Sequence, residues 1–212
     1  MITPPRPTDG PLILADIGGY TSFLRNVQSA HADDAFADGR VPDAYGLVSS
    51  LLDGIIARLV PPFTLSKLEG DAVFAYATDA SAIPRGAALR ACIDACYDEF
   101  RRRLEAAHDV WACRCDACMR IDALDLKFIL HAGPFVIQQI GGAAELVGSE
   151  VVMAHRLLKN DAAEVLGHGA YALVTAAAVE RFGVPVEGAV SLVARYEHYD
   201  PIETFVFALR GT

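Results

Sequence analysis

Two aspartates lie next to apolar segments, and each has glycine within two positions. Asp16 ends the run 12–15 and precedes Gly18-Gly19, and Asp71 follows Gly70 and precedes the run 72–76. An apolar strand fixes where its last side chain points, and a neighbouring glycine lets a bulky group approach the backbone. Two carboxylates held in this way suit a pair of hard cations that carry polyphosphate. The alternative for either aspartate alone is an ordinary turn residue.

A second group of chemically competent residues is a cysteine cluster. Cys113, Cys115 and Cys118 lie within six residues and can converge on one zinc ion, with His108, Asp116 or a cysteine of a partner as the fourth ligand. The alternative is a cluster of reduced thiols. The chain has five cysteines and no signal-peptide pattern, which favours thiols or a metal site over a disulfide framework.

Composition limits the functions that these residues can serve. The chain has 212 residues, 53% of them hydrophobic, and a formal net charge of −9. An acidic surface argues against binding to nucleic-acid backbones or anionic membranes, but it permits a nucleotide whose phosphates are neutralised by metal ions. No apolar run is long enough to span a membrane, so we expect a cytoplasmic protein. Residues 1–10 are predicted to be a flexible lead, and residues 11–212 a single domain with a Cys-rich loop at 108–121.

The elements that must position these residues can be predicted from hydrophobic periodicity. Strands are predicted at 11–17, 63–66, 72–77, 124–131, 135–140, 170–174, 191–196 and 204–209, with 135–140 as the hairpin partner of 124–131. Helices are predicted at 19–27, 42–59, 81–107, 151–158 and near 176–182. This order indicates an α+β fold with a ferredoxin-like βαββαβ core and a C-terminal extension.

Three motifs in this order resemble those of the class III nucleotide cyclases, the adenylate and guanylate cyclases. They are Asp16–Thr21, Lys67–Asp71 and Gly148–Leu157, and the resemblance extends over nearly the whole chain, from Leu12 to Leu209. The nearest likeness is to an uncharacterised bacterial branch of cyclase-like domains. It rests on residues 70–73, on the cysteine cluster before 124–127, and on residues 154–160.

The resemblance implies a role for each motif. Asp16, Asp71 and the backbone carbonyl of Ile17 would hold two Mg²⁺ or Mn²⁺ ions, and Asp16, Asp71 and Arg156 would be catalytic. The expected nucleotide-binding residues are Lys67, Glu145, Ile17, Gly18, Gly19, Tyr20 and Thr21. Lys67 and Glu145 would read an adenine base, with Lys67 acting from the partner chain of a homodimer. Arg156 would stabilise a phosphate of the nucleotide. The alternative is an ordinary arginine on a helix surface with no role in binding.

Two departures from the family pattern concern turnover. Val152 stands where the family has an asparagine that orients the ribose, and the expected C-terminal lysine is absent, although Arg195 or Arg210 could replace it. The sequence therefore predicts a cyclase converting a nucleoside triphosphate, preferably ATP, to the 3′,5′-cyclic nucleotide and pyrophosphate. If active, it would be a phosphorus–oxygen lyase of the adenylate cyclase type. The alternatives are a catalytically degenerate nucleotide-binding or regulatory module, and a zinc-pinned interaction domain without nucleotide.

Overall fold

The computed structural model describes residues 7–32, 39, 41–79, 81–110 and 113–209. The strands are β1 Pro7–Gly18, β2 Thr64–Glu69, β3 Ala72–Tyr76, β4 Asp125–Ile140, β5 Ala143–Val147, β6 Tyr171–Thr175, β7 Val190–Ala194 and β8 Ile202–Ala208. The helices are α1 Tyr20–Ala30, α2 Asp43–Leu59, α3 Ala87–Val110, α4 Asp116–Met119, α5 Ser149–Arg156, α6 Ala162–Leu166 and α7 Ala176–Phe182, with a 3₁₀ turn at Arg120–Ala123. None of the helices within these ranges combines the length and apolarity of a membrane span.

The strands form one sheet in the order β2-β3-β1-β4-β6-β8-β7, with β5 paired to β4. The first four positions, β2-β3-β1-β4, are antiparallel and give the strand arrangement of a ferredoxin-like βαββαβ core. The extension begins with β6, which pairs parallel to β4, and continues through β8 and β7. The α+β fold with a C-terminal extension is therefore confirmed.

The central strands are buried on both faces because helices cover each side of the sheet. On one face, α1, α2, α3 and α7 pack over Ile13, Ala15 and Ile17 of β1. On the other face, α5 and α6 pack over Leu12 and Leu14. Side chains alternate between faces along a strand, so Asp16 lies on the same face as Leu14, beside α5.

The predicted strand pattern differs from the structure at the N-terminus and around residues 124–140. Residues 7–10, predicted to belong to the flexible lead, are the first residues of β1 because they pair with residues 133–136 of β4. The predicted hairpin of 124–131 with 135–140 is wrong, since both segments belong to the single strand β4, and the partner of 136–140 is β5. Pro134 lies between the stretches of β4 that pair with β6 and β5, and a residue without N–H is tolerated best in such an interval.

A buried carboxylate joins the two long helices behind the sheet. Glu99 of α3 is 8% exposed and forms ion pairs with Arg58 of α2 and with Arg102 and Arg103 of its own helix. Hydrogen bonds from these arginines, the largest from Arg102, lower the pKa of Glu99 to about 2. Arg103 also donates to the backbone carbonyl of Ser50, so the cluster connects α2 to α3.

Candidate nucleotide and metal site

Asp16 begins a row of polar side chains that crosses three neighbouring strands. Strand register places Asp16 of β1 opposite Lys127 of β4, and Lys127 opposite Tyr171 of β6. The Lys127 ammonium lies 2.9 Å from Asp16 Oδ2, and the two side chains are 23% and 15% exposed. Asn160 Nδ2 donates to the Tyr171 hydroxyl at 2.9 Å and completes the row. The neighbour of Asp16 on β3 is Ala72, a buried residue with a small apolar side chain, so the polar row ends at β1.

Asp71 lies in the tight turn between β2 and β3, beside Asp16. Gly70 allows this turn because its φ is +68°, in the left-handed region that glycine favours. The backbone carbonyl of Asp71 accepts from the Ile17 N–H at 3.1 Å, which fixes the turn against the end of β1. Burial, and then the negative charge of Asp16, raise the pKa of the Asp71 carboxyl, while Lys127 opposes this rise. The structure thus brings the two predicted aspartates together and adds a lysine.

The predicted nucleotide loop runs from Ile17 to Thr21 and leads into α1. Gly19 precedes the helix with φ of +81°, and no side chain in the described ranges caps the first turn. The first N–H groups of a helix lack intrahelical partners and attract anions. Burial and the charge of Asp71 raise the pKa of Tyr20, consistent with its place beside the carboxylates. This end of α1 is therefore suited to a phosphate group.

Lys67 and Glu145 form the second pair of predicted site residues. Lys67 Nζ lies 2.7 Å from Glu145 Oε2 on β5 and 3.7 Å from Glu69 Oε1. The hydrogen bond that Lys67 donates to Glu145 raises the pKa of Lys67. Glu69 Oε2 in turn lies 2.8 Å from His155 Nε2 on α5, and the other ring nitrogen contacts the Val151 carbonyl at 2.7 Å. Lys67 and Glu145 are adjacent and partly exposed. The ammonium can donate to an acceptor of a planar base, and the carboxylate can accept from a donor of the same base.

Arg156 lies on α5 outside both of these pairs. Its guanidinium donates to the backbone carbonyl of Glu197 at 3.1 Å and lies 5.3 Å from the centre of the Tyr199 ring. Val152, one helical turn earlier, is 48% exposed. Both residues border a surface depression of about 420 Å³, which Lys159 also lines. The arginine is thus held at a surface by one carbonyl and one ring, and its remaining N–H groups can bind an anion.

Lys127 is a candidate site residue that the sequence did not predict. The sequence contains only three lysines, and the family resemblance places the second phosphate-binding lysine near the C-terminus, where none of them lies. Arg195 instead lines a separate depression of about 340 Å³ with Tyr196 and Asn160, and Arg210 lies outside the described residues. The pairing of Asp16 with Lys127 follows from strand register, which periodicity alone does not give.

The cysteine cluster is assembled by a histidine that was not among the predicted ligands. His31 Nε2 lies 3.6 Å from Cys113 Sγ, 3.3 Å from Cys115 Sγ and 3.3 Å from Cys118 Sγ. The backbone N–H of Cys118 donates to Cys115 Sγ and helps to lower the pKa of Cys115 to about 7. Such a His/Cys cluster can bind a metal ion. The side chain of His108, the ligand named from the sequence, lies outside the described residues.

His131 has a structural role. It is 4% exposed and contacts Thr175 Oγ1 at 3.0 Å and Glu150 Oε2 at 2.8 Å, so both ring nitrogens have partners. Burial lowers the pKa of this histidine. The Thr175 hydroxyl also accepts from Ala178 N–H at the start of α7. The contacts fasten α5 and α7 to the sheet.

Solved structures of nucleotide cyclases share this arrangement of strands and helices. The adenylyl cyclase CyaB from P. aeruginosa is 12% identical with a TM-score of 0.64, covering 96% of this chain and 95% of that chain. The guanylyl cyclase Cya2 is 17% identical with a TM-score of 0.61, covering 97% of this chain and 93% of that chain. The catalytic core of a rhodopsin-guanylyl cyclase with converted specificity, solved with ATPαS, is 14% identical with a TM-score of 0.55, covering 96% and 97%. The chain therefore has the fold of class III adenylyl and guanylyl cyclase catalytic domains.

Sequence comparison gives the family. Residues 48–165 match the family model described as "Protein of unknown function (DUF2652)", and the chain belongs to that family. A curated relative, "Uncharacterized protein Rv2561/Rv2562" from Mycobacterium tuberculosis (strain ATCC 25618 / H37Rv), is 35% identical over 118 residues, or 54% of this chain. The chain spans about half the length of that relative, of which 52% is covered.

Proposed function

We propose that this chain binds a nucleoside triphosphate with divalent metal ions and, as a homodimer, converts it to a 3′,5′-cyclic nucleotide and pyrophosphate. ATP is the proposed substrate. The observation that carries the proposal is the grouping of Asp16, Asp71 and Lys127 near the N-terminal end of α1, which no described side chain caps. The pair Lys67–Glu145 would supply groups for the base from the partner chain of the homodimer. Among the solved cyclase structures with this fold, one is in complex with ATPαS and another is described as a non-canonical dimeric guanylyl cyclase domain. These structures support the proposals that this chain binds a nucleotide and forms a dimer.

The charges around Asp16 and Asp71 fit hard divalent cations. The Lys127 ammonium forms an ion pair with Asp16 and acts on Asp71 only through its charge, while the charge of Asp16 contributes to the raised pKa of Asp71. A bound cation would relieve this repulsion, and carboxylate oxygen is a preferred donor for Mg²⁺ and Mn²⁺. Asp16, Asp71 and the Ile17 carbonyl would hold the ions, which when bound offset phosphate charge and favour ionisation of the ribose 3′-hydroxyl.

The remaining residues of the chain would bind and orient the nucleotide. Lys127 would face the phosphates with a positive charge, and the uncapped N–H groups at Tyr20 and Thr21 would add donors. Lys67 would donate to an acceptor of the base while Glu145 accepts from its amino group. Glu145 is longer by one methylene than the aspartate of adenylate cyclases. Its carboxylate lies 2.7 Å from the Lys67 ammonium, so the two groups would meet the base side by side.

A second candidate is a degenerate cyclase-like domain that binds nucleotide and regulates a partner. Val152 favours it, because this side chain is 48% exposed on α5 and has no group that donates or accepts a hydrogen bond. Losing one preorganised donor costs about 10²–10³ in rate, so binding without useful turnover is a coherent outcome. This candidate shares the metal and nucleotide site and differs only in the chemical step.

The deciding experiment separates binding from turnover. The protein is incubated with Mn²⁺ or Mg²⁺ and each of the four common nucleoside triphosphates, cyclic products are quantified, and ATP binding is measured by calorimetry. We expect cyclic AMP from the wild type and a loss of both metal-dependent binding and product in Asp71→Asn. The matched control is Asp53→Asn, an exposed aspartate on α2. Metal-dependent binding without product supports the second candidate, and binding that is unaffected by Asp71→Asn contradicts both.

A further inference from the structure

We propose that His31, Cys113, Cys115 and Cys118 form a structural zinc site that fastens α1 to the segment before β4. The four potential ligand atoms, one nitrogen and three sulfurs, all lie within 4.8 Å of one another. A tetrahedral ion with Zn–S of about 2.3 Å and Zn–N of about 2.0 Å separates nitrogen and sulfur ligands by about 3.6 Å. The three separations between His31 Nε2 and the sulfurs, 3.3, 3.3 and 3.6 Å, are all within about 0.3 Å of this edge length.

Hydrogen bonding does not account for the cluster. The Nε2 atom of a neutral imidazole either donates one proton or accepts with one lone pair, so it can serve one thiol well. Here three sulfur atoms surround the same nitrogen of His31 at nearly equal distances. A central cation explains this convergence, because each ligand then directs its lone pair at the ion. Three soft thiolates and one imidazole are a donor set that selects zinc over Mg²⁺ or Ca²⁺.

The site would fix both the position and the direction of α1. His31 follows the last residue of α1, and its backbone N–H still bonds to the Val27 carbonyl of that helix. At the other end, Gly19 packs so closely on the same segment that an added Cβ would lie 2.7 Å from the Ala123 carbonyl oxygen. The segment 113–123 therefore holds α1 at both ends. The ion would stabilise the helix that begins four residues after Asp16.

Zinc content tests the assignment without reference to nucleotide chemistry. The full-length protein is purified without a polyhistidine tag or chelator, and its metals are quantified by mass spectrometry. We expect one zinc per chain in the wild type and in Cys92→Ser, whose thiol lies outside the cluster. His31→Ala should bind zinc at least about 100-fold more weakly, since even indirect support of a ligand is worth 10–100-fold. His31→Cys should retain the metal as a four-cysteine site, which separates loss of a ligand from loss of folding.

Two spectroscopic and thermal readouts complete the test. Replacing zinc with Co²⁺ should give the intense visible absorption of a tetrahedral thiolate complex in the wild type, and a weaker spectrum in His31→Ala. A strong chelator should lower the Tm of the wild type by about 5 °C or more and leave that of His31→Ala nearly unchanged. The proposal is wrong if the wild type carries no zinc above the buffer level, or carries iron instead. It is equally wrong if His31→Ala binds zinc as tightly as the wild type.

Discussion

Replacing Lys127 with methionine should change metal binding and nucleotide binding in opposite directions. The Lys127 ammonium lies 2.9 Å from Asp16 Oδ2. A divalent ion bound to that oxygen at about 2.1 Å lies no farther than about 5 Å from the ammonium. At this separation the repulsion between a single and a double charge is about 1.7 kcal/mol even in bulk water, which corresponds to about 15-fold in affinity. Movement of the lysine side chain lowers this figure and a lower dielectric raises it, so we expect about 10-fold tighter binding of Mn²⁺ alone.

With nucleotide present the same substitution should weaken binding. A hydrogen bond to a charged group is worth about 1.5–3 kcal/mol, so loss of Lys127 should weaken binding of metal–ATP about 10-fold or more. Free Mn²⁺ can be followed by electron paramagnetic resonance, and ATP binding by calorimetry. Arg85→Met is the matched control because it also removes one positive charge, at an exposed position beside α7 on the face of the sheet opposite Asp16. If Lys127→Met leaves Mn²⁺ binding unchanged, or if Arg85→Met has the same effect, Asp16 is not the metal ligand and the charge argument fails.

Three other substitutions test separate parts of the structure. Val152→Asn should raise cyclic-nucleotide production by about 10-fold or more by restoring a hydrogen bond to the ribose. Val165→Asn, at a similarly exposed valine on α6, should not. Equal rates in the two variants would contradict the proposal that position 152 faces the ribose. Glu99→Gln should lower stability at pH 7 by about 1–2 kcal/mol, discounted for its solvent-exposed arginine partners, as measured by chemical denaturation. Because the pKa of Glu99 is depressed in the folded state, its contribution to the free energy of unfolding is complete above about pH 4.5. The difference in this free energy between variant and wild type should vanish as pH falls towards 2. A difference that persists there would contradict the ion-pair account. Gly19→Ala should lower the free energy of unfolding by about 1–3 kcal/mol and weaken ATP binding, because the φ of this residue is +81° and the new Cβ would meet the Ala123 carbonyl. An unchanged Tm would show that this contact is not tight.

Hydrophobic periodicity predicted the long helices and most strands because each carries a continuous apolar face. It failed in β4, where it predicted a strand end that the structure does not have. Residues 133–134, glycine followed by proline, look like a turn, yet β4 continues through them. Gly133 is needed there because an added Cβ would lie 2.6 Å from Glu150 Cγ of α5. A glycine that makes room for a helix cannot be distinguished, in one sequence, from a glycine that makes a turn.

The candidate site was predictable where motifs are local and unpredictable where distant elements meet. Asp16 and Asp71 each stand beside glycine in a recognisable pattern, and the cysteines are adjacent in sequence. Lys127 reaches Asp16 only through the register of β1 against β4, and His31 reaches the cysteines only through the packing of α1 on α4. Both residues look like ordinary polar positions until the sheet and the helices are assembled.

The wide spacing between His31 and the cysteines affects how a bound ion would act on the unfolded chain. His31 lies 82 to 87 positions from its three partners, while those partners lie within six residues of one another. A denatured chain would already offer three thiolates to zinc, and metal bound by that state reduces the net stabilisation of the folded state. The net gain on folding would come from the fourth ligand, because only the folded chain brings His31 to the three thiolates. A denatured chain could therefore keep its ion, and refolding would begin with the metal in place and end when His31 arrives.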